Sequence, residues 1–582
     1  MAAARPPWVT SLWEHRDCKE KAMSKEQKVI LLGLDGATFD LLGPWMDAGH
    51  MPNLQRLARE GAWGELESTR PPTTAPAWVS CVTGVNPGKH GVFDFRESPL
   101  LDARRPLISS RSVRAPALWH ILSHHGQQVG VLNVPVSYPP AEVEGFVVGG
   151  MMSPGPASDY TYPRDLRDEL NARSYVIDLE IQKYDVEAEA DAHRFLDDVA
   201  TALELRAGAL LHLMDTRPWQ FLMAVFVAAD RIQHLFWKTM ADADSGLYHA
   251  PEADGLRARI LTIYQAMDRI VGQMMERVDA HGQTSLYIVS DHGFGSTKAW
   301  FNANRWLQKQ GWLHLKPRAA LRKRFFYEAM RLNDSRMVKR LLPESLGRAV
   351  RGRVRSGRSV FKTDLDQCVD WSRTRAFFAS IPAQGIYINV QRDGLGLVDP
   401  GAKYETLRQE IRTGLEGLTD PRQKGQAPRP VVDRAWFREE VYEGPYTHLA
   451  PDILFVAQDY ACLGRELLGT RDVIESSMNW GNGFHRMNGI LMAYGPHIHR
   501  HKRVEGATMV DVAPTLLCDL GLPVPDNMDG QVLTDILSSE HLAANPIRRS
   551  AALERADWEH DSYSDEEQAE IAGRLAALGY IE

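Results

Sequence analysis

The feature that most constrains the fold is an apolar run at Lys28–Leu34 that ends abruptly in Asp35 and Gly36. A strand without alternating polar residues is buried on both faces, and such strands belong to sheets covered by helices on either side. Similar runs recur at 129–134, 221–228, 285–290 and 490–494, and helical patterns lie between them at 53–61 and 256–278. This alternation predicts an α/β fold with a doubly wound, mostly parallel central sheet and helices on both faces.

The length of 582 residues exceeds what one hydrophobic core usually organises, so we expect a smaller region inserted into the main one. We predict a disordered leader at 1–24, with Met23 as an alternative translation start, and the first part of the α/β core at 25–315. An inserted cap follows at 316–475, with a strand at 384–390 and a helix at 404–418. The last part of the core and a C-terminal helix occupy 476–582.

Charge and cysteine content exclude several classes of protein. The net charge is −8, which argues against a nucleic-acid polymer as partner, since such proteins usually carry a basic domain or stripe. The five cysteines form neither CxxC pairs nor a disulfide framework, which fits a reducing compartment. No apolar run is long enough to cross a bilayer, and no proper secretory signal precedes the first strand, so we predict a cytoplasmic protein.

One segment, 316–362, differs from the rest because it concentrates arginine and lysine. It is either a solvated pair of surface helices joined by a loop, or a basic flap for an anionic substrate or a membrane surface. Leu321, Phe325 and Phe326 would form the apolar face that a peripheral membrane contact requires.

Carboxylates and imidazoles follow the predicted strands, where ligands bind in open α/β sheets. Each has an ordinary explanation when taken singly, because Asp often caps a helix and a lone His is usually a satisfied core or surface residue. Together they predict a site for zinc or manganese, ions that accept both carboxylate oxygen and imidazole nitrogen. The residues are Asp35, Asp230, His234, Asp291, His292 and, before the strand at 490–494, His485.

The candidate nucleophile is Thr74. Pro76 suits the first turn of a helix running through Thr83, which places Thr74 at the N-terminal end of that helix. The free backbone N–H groups there favour an anionic phosphoryl group. The alternative is that Thr74 only caps the helix.

These residues together resemble the alkaline phosphatase superfamily, and most closely its type I phosphodiesterase and nucleotide pyrophosphatase branch. The resemblance extends from about residue 29 to 536, and the nearest group is that of bacterial predicted phosphohydrolases or phosphomutases. The motifs that carry it are Gly33-Leu34-Asp35-Gly36, Thr74-Ala75-Pro76, Thr83-Gly84, Pro87-Gly88-Lys89-His90-Gly91, Asp230 with His234, Ser290-Asp291-His292-Gly293, His485, and the closing stretch from Met509 to Leu516 with Asp529-Gly530.

The resemblance implies two divalent metal ions, zinc or alternatively manganese, and a small-molecule phosphate ester as substrate. One metal would be held by Asp230, His234 and His485. The other would be held by Asp35, Asp291, His292 and the hydroxyl of Thr74. Thr74 would then form a phosphothreonine intermediate, which water would hydrolyse.

One departure from the family pattern concerns phosphate binding. The better-known phosphodiesterases of this branch have Thr-x-Pro-Asn at the nucleophile, whereas this chain has Ala77 in place of the Asn. We therefore expect phosphate contacts from the backbone amides of Thr74 and Ala75 or from Asn133. The basic segment and the aromatic residues Trp78, Phe93 and Phe95 are candidates for leaving-group binding, although aromatics at such positions are more often core.

Phosphodiester hydrolysis is the favoured activity, with phosphomonoester hydrolysis or phosphomutase activity as the alternative. A sulfatase is disfavoured, because its oxidisable Cys or Ser and following Arg are absent around Thr74. A cofactor-independent phosphoglycerate mutase would carry Ser there. A metal-binding pseudoenzyme is the remaining alternative from a different class.

Overall fold

The structure is a computed structural model that describes residues 27–102, 104–241, 255–334, 365–392, 396–420, 430–476, 483–554 and 563–581. The predicted leader at 1–24 and most of the basic segment, 335–362, lie outside the described residues, as does the side chain of Phe326.

The described strands and helices alternate along the first half of the chain. The strands are β1 Lys28–Leu34, β2 Ala62–Glu67, β3 Val129–Val134, β4 Gly145–Gly149, β5 Thr161–Tyr162, β6 Phe221–Phe226, β7 Thr284–Val289, β8 Gly293–Ser296, β9 Ala299–Asn302, β10 Ala376–Phe378, β11 Gly385–Ile388, β12 Val432–Phe437, β13 Ile453–Ala457, β14 Cys462–Arg465, β15 Ile474–Ser476, β16 Gly483–Arg486, β17 Asn488–Tyr494, β18 Lys502–Thr508, β19 Val524–Pro525 and β20 Arg549–Ser550. The helices are α1 Phe39–Asp47, α2 Pro52–Glu60, α3 Thr74–Thr83, α4 Pro87–His90, α5 Leu118–His124, α6 Leu166–Ala172, α7 Glu189–Thr216, α8 Ala228–Met240, α9 Leu256–His281, α10 Ala303–Lys309, α11 Pro317–Asp334, α12 Leu365–Cys368, α13 Ala402–Glu416, α14 Val512–Asp519, α15 Ser539–Ala544 and α16 Asp565–Ala577.

A central sheet of nine strands organises the chain, in the order β18-β2-β17-β7-β1-β6-β3-β4-β5. β1 pairs in parallel with both β6 and β7, and β3 pairs in parallel with β6 and β4. β17 runs antiparallel to β7 and β2, which makes the sheet mixed but mostly parallel. Separate hydrophobic cores cover its two faces. The predicted α/β fold class is confirmed.

The apolar runs match the observed strands closely, with one difference that bears on the site. The run predicted at 221–228 ends as strand β6 at Phe226, because helix α8 begins at Ala228. This early turn brings Asp230 into the first turn of the helix.

A smaller antiparallel sheet, β10-β11-β13-β12, lies within the region predicted as a cap. It shares a hydrophobic core with the three-stranded sheet β14-β9-β15, and that core includes Phe301 and Trp306, which precede residue 316. The division into 25–315, 316–475 and 476–582 stays a prediction.

The described part of the basic segment is helix α11, on which Leu321 and Phe325 are largely exposed. Among the described helices, none combines the length and apolar character that crossing a bilayer requires.

Candidate active site

Three aspartates meet at the carboxyl ends of neighbouring parallel strands. Because β1 lies between β6 and β7, Asp35 at the end of β1 lies between Asp230, which follows β6, and Asp291, which follows β7. The backbone N–H of Asp230 donates to the carbonyl of Asp35 at 3.1 Å, which ties α8 to the end of β1. All three side chains are fully buried. The sheet order therefore brings together carboxylates that are far apart in the sequence.

Two histidines complete the first cluster, which consists of Asp230, His234 and His485. His234 lies one helical turn after Asp230 on α8, and its Nε2 is 3.2 Å from Asp230 Oδ1. His485 lies on β16, which pairs with β8, and its Nε2 is 3.2 Å from His234 Nε2 and 3.6 Å from Asp230 Oδ1. One carboxylate oxygen and two imidazole nitrogens therefore face one another in a buried space.

The second cluster consists of Asp35, Asp291 and His292. His292 Nε2 lies 3.1 Å from Asp291 Oδ2 and 4.0 Å from Asp35 Oδ1. Neither of these carboxylate oxygens has a hydrogen-bond partner among the described residues. Buried carboxylate oxygens without a donor are costly unless a proton or a cation meets them. The donor types and their burial fit a divalent cation.

The orientation of two imidazoles also suits metal binding. His485 Nδ1 donates to the carbonyl of Pro72 at 2.8 Å, and His292 Nδ1 donates to the carbonyl of Gly293 at 3.1 Å. Since a carbonyl oxygen only accepts, the proton of each neutral ring is on Nδ1 and the lone pair of Nε2 faces the cluster. Backbone carbonyls fix metal-binding histidines in this way.

The buried carboxylates of the pocket repel one another, and this repulsion favours the binding of positive charge. Burial raises the pKa of Asp35 well above its usual range, and the neighbouring carboxylates of Asp291 and Asp230 raise it further. Burial lowers the pKa of His292, but Asp291, Asp35 and Asp230 together outweigh that effect and raise the pKa to about 9. Below that pH Nε2 also carries a proton, which a bound metal ion would displace. Three acidic side chains in one buried space thus favour any group that brings positive charge.

Thr74 lies beside the second cluster, in the first turn of α3. Thr73 precedes the helix, so Thr74 is a helical residue and not its cap. The hydroxyl oxygen of Thr74 is 3.1 Å from His292 Nε2. The first intrahelical N–H of this turn is that of Ala77, which donates to Thr73, so the amides of Thr74 and Ala75 precede the helical ladder. A hydroxyl and helix-terminal amides therefore occupy the same corner of the pocket.

Trp78 links this helix to the metal-ligand candidates. Its indole N–H donates to Asp35 Oδ2 at 2.8 Å, which leaves Asp35 Oδ1 facing the cluster. The ring reaches this position because Gly33 has no side chain: a Cβ there would lie 2.3 Å from the indole. Trp78, Phe93 and Phe95 are all buried, each in a different hydrophobic cluster, as the core interpretation of these aromatics predicts.

The seven residues predicted as metal ligands and nucleophile thus lie together in one buried pocket. The two residues predicted to contact phosphate, Ala75 and Asn133, do not point a side-chain donor into that pocket in the same way. The side chain of Ala75 is buried in the core, so the predicted contact involves only its backbone amide and stays a prediction. Asn133 is buried, and its amide donates to the carbonyl of Val225 at 2.9 Å, which directs it toward β6. Its role as a phosphate contact stays a prediction.

Two residues that the sequence did not single out belong to the site. Arg231, directly after Asp230, is buried and donates to Asp230 Oδ2 at 2.7 Å. Tyr580 reaches the site from the segment after α16, and its hydroxyl donates to Asp230 Oδ1 at 3.1 Å. The position of Arg231 beside a predicted ligand was a usable signal. Nothing in the local sequence marks Tyr580.

One family model and several solved structures are similar to this chain. The family model described as type I phosphodiesterase/nucleotide pyrophosphatase matches residues 29–459, most of the chain. No curated protein matches significantly. Similar solved structures include human ectonucleotide pyrophosphatase/phosphodiesterase 5 (TM-score 0.47, 14% identity, covering 88% of this chain and 100% of that one) and its murine counterpart in complex with AMP (0.46, 15%, 88% and 100%). Phosphonoacetate hydrolase from Sinorhizobium meliloti 1021 in complex with phosphonoformate is another (0.47, 15%, 84% and 94%). From the family match, the chain belongs to the type I phosphodiesterase/nucleotide pyrophosphatase family of the alkaline phosphatase superfamily and is a hydrolase of phosphoric esters.

Proposed function

We propose that the protein is a phosphodiesterase that uses two metal ions and Thr74 as its nucleophile. The observation that carries this proposal is the position of the Thr74 hydroxyl, 3.1 Å from His292 Nε2 and at the border of two buried Asp/His clusters. A threonine whose only role was packing would not need a hydroxyl in contact with a histidine that itself faces two buried carboxylates.

The two clusters divide the metal ligands. Asp230, His234 and His485 would hold one ion. Asp35, Asp291, His292 and the Thr74 hydroxyl would hold the other. Zinc fits best because the donors are imidazole nitrogens and carboxylate oxygens in small sets, and manganese is the alternative. A bound pair of divalent ions supplies positive charge for the transition state and lowers the pKa of a coordinated hydroxyl.

The residues of the chain position the reaction. The Thr74 oxygen attacks phosphorus while the bond from phosphorus to the leaving-group oxygen breaks. The proton lost by the hydroxyl balances the one that the departing oxygen takes up, so an alcohol leaves and a phosphothreonine that keeps the second ester group remains. The amides of Thr74 and Ala75, at the start of α3, favour the negative phosphoryl oxygens. Water then attacks the phosphothreonine, the bond between phosphorus and the Thr74 oxygen breaks, and the free hydroxyl is regenerated.

The substrate is a small-molecule phosphate ester, and a diester is favoured over a monoester because the matching family is one of phosphodiesterases. Ala77 stands where the better-known members have a phosphate-binding Asn, so leaving-group preference is not carried over from them. Phosphomonoester hydrolysis and phosphoryl transfer are the competing outcomes of the assay.

The test combines metal analysis with turnover of bis-p-nitrophenyl phosphate and p-nitrophenyl phosphate. The zinc-loaded protein should bind two ions and prefer the diester. Thr74→Ala should abolish turnover and leave metal content largely unchanged, whereas Thr74→Ser, which keeps a hydroxyl, should retain measurable turnover. Full activity of Thr74→Ala would exclude Thr74 as the nucleophile. A metal-loaded protein inactive on every phosphate ester would instead favour the pseudoenzyme.

A further inference from the structure

The segment 563–581 packs against the core and delivers Tyr580 to the site. Ile571 and Leu575 of helix α16 are buried in the main hydrophobic core. Arg574 donates to the carbonyl of Ser153 at 2.6 Å, and the Tyr563 hydroxyl donates to the carbonyl of Met152 at 2.9 Å. The position of Tyr580 is therefore set by several contacts along this segment.

The ring of Tyr580 is held between aromatic groups. It packs against Phe95 with ring centroids 4.7 Å apart, and it meets the ring of His234 edge-on at 5.1 Å. Only 1% of the residue is exposed. This packing points the hydroxyl at the cluster formed by Asp230, His234 and His485.

The hydroxyl oxygen is almost equidistant from the three donor atoms of that cluster. It lies 3.1 Å from Asp230 Oδ1, 3.0 Å from His234 Nε2 and 3.2 Å from His485 Nε2. The three donor atoms are themselves 3.2, 3.2 and 3.6 Å apart. The four atoms therefore form a nearly regular tetrahedron.

These edges match the coordination shell of a tetrahedral zinc ion. With bonds of about 2.0–2.1 Å to nitrogen and oxygen, the ligand atoms of such an ion are separated by about 3.3–3.4 Å. The tyrosine oxygen thus stands at the distance expected of a fourth ligand.

The single proton of the tyrosine does not by itself satisfy this arrangement. A tyrosine hydroxyl carries one proton, which it can give to one acceptor. The Asp230 carboxylate oxygen and the lone pair of His485 Nε2 both face it, because His485 Nδ1 donates to Pro72. Hydrogen bonding meets both acceptors only when His234 Nε2 carries a second proton, whereas a cation at the centre of the tetrahedron meets all four atoms at once.

We propose that Tyr580 supplies the fourth ligand of the metal held by Asp230, His234 and His485. This inference rests on the proposed metal site. The same oxygen lies 3.4 Å from the Thr74 hydroxyl, so it borders the position that a phosphoryl group must enter. A substrate oxygen that binds this metal therefore competes with Tyr580.

The test compares Tyr580→Phe, which keeps the ring and removes the oxygen, with Tyr563→Phe, which removes a hydroxyl from the same segment away from the metal. Zinc affinity is measured by chelator competition, and the coordination shell by the visible spectrum of the cobalt(II)-substituted protein. Tyr580→Phe should lower the affinity for one of the two ions by at least about tenfold and change the cobalt spectrum. Tyr563→Phe should leave the zinc affinity and the cobalt spectrum unchanged.

Two results would overturn the inference, and they differ from a failure of the proposed function. Unchanged affinity and spectrum in Tyr580→Phe, with metal still bound by the wild type, would remove Tyr580 from the coordination shell alone. Equal losses in Tyr580→Phe and Tyr563→Phe, with a matching fall in thermal stability, would assign the effect to the packing of segment 563–581. A wild-type protein that binds no metal would reject the proposed two-metal site itself.

Discussion

Arg231 fixes the orientation of the Asp230 carboxylate by donating to its Oδ2 at 2.7 Å, which leaves Oδ1 facing His234 and His485. The other end of the guanidinium donates to Asp178 Oδ2 at 3.0 Å, and both Arg231 and Asp230 are fully buried. Arg231 therefore binds one oxygen of the carboxylate and excludes it from the cluster, so the ligand geometry proposed for Asp230 depends on this neighbour.

Arg231→Met should destabilise the protein strongly. Removing one partner of a buried ion pair leaves the other charge without compensation, which costs about 3–5 kcal/mol. The measurement is the free energy of unfolding in urea. The control is Arg217→Met, whose half-buried pair with Glu169 should contribute about 0–1 kcal/mol. Similar losses of unfolding free energy in the two variants would show that the buried Arg231 ion pairs stabilise the protein no more than the half-buried Arg217 pair does.

Chelation of the metals should lower the thermal stability of the wild type. A ligand at 100 times its Kd stabilises the folded state by about 2.7 kcal/mol, so removing it lowers Tm. In Asp35→Asn the fall should be smaller, because one of the three clustered carboxylates is gone and the metal-free pocket has less repulsion. Calorimetry with and without chelator measures the fall in Tm for the wild type and for Asp35→Asn. An unchanged Tm in the chelated wild type would contradict metal binding in the pocket.

The edge of the sheet that carries the site could be predicted from the sequence. Runs such as 28–34 lack any alternation, which identifies strands buried on both faces, and such strands present their carboxyl ends at one edge. This places Asp35, Asp230 and Asp291 together before any coordinates are known. His485 precedes the strand at 490–494 and does not follow one, so the sequence indicated it more weakly, and the family resemblance assigned it to a metal.

Other contacts could not be predicted because they depend on how distant segments pack. Tyr580 is 506 positions from Thr74 in the chain and meets it only because α16 packs on the core. Asn133 adopts a left-handed backbone with φ of 57°, and its amide binds the carbonyl of Val225. A pattern of residue types contains no information on that backbone angle.

Trp78→Phe should weaken metal binding at the Asp35 cluster. The indole N–H donates to a carboxylate, and a hydrogen bond to a charged group contributes about 1.5–3 kcal/mol, or roughly ten- to a hundredfold in affinity. Trp237→Phe is the matched control, since that buried indole N–H has no hydrogen-bond partner within the described part of the chain. Chelator competition measures the affinity. Equal weakening in both variants would attribute the effect to lost ring volume.

Gly33→Ala should destabilise the protein and disturb the site, because the new Cβ would lie 2.3 Å from the Trp78 ring and 2.8 Å from Val225. Overpacking of this kind costs about 1–3 kcal/mol, and displacement of the indole should also weaken its hold on Asp35. Gly208→Ala is the control: it lies in helix α7, where a Cβ added to the glycine would meet no atom within 4 Å outside its own stretch of the helix, and alanine there should stabilise by about 0.5–1 kcal/mol. Urea unfolding should therefore show a lower free energy of unfolding for Gly33→Ala and a higher one for the control variant. A neutral Gly33→Ala with unchanged metal affinity would mean that the ring of Trp78 can shift without loss.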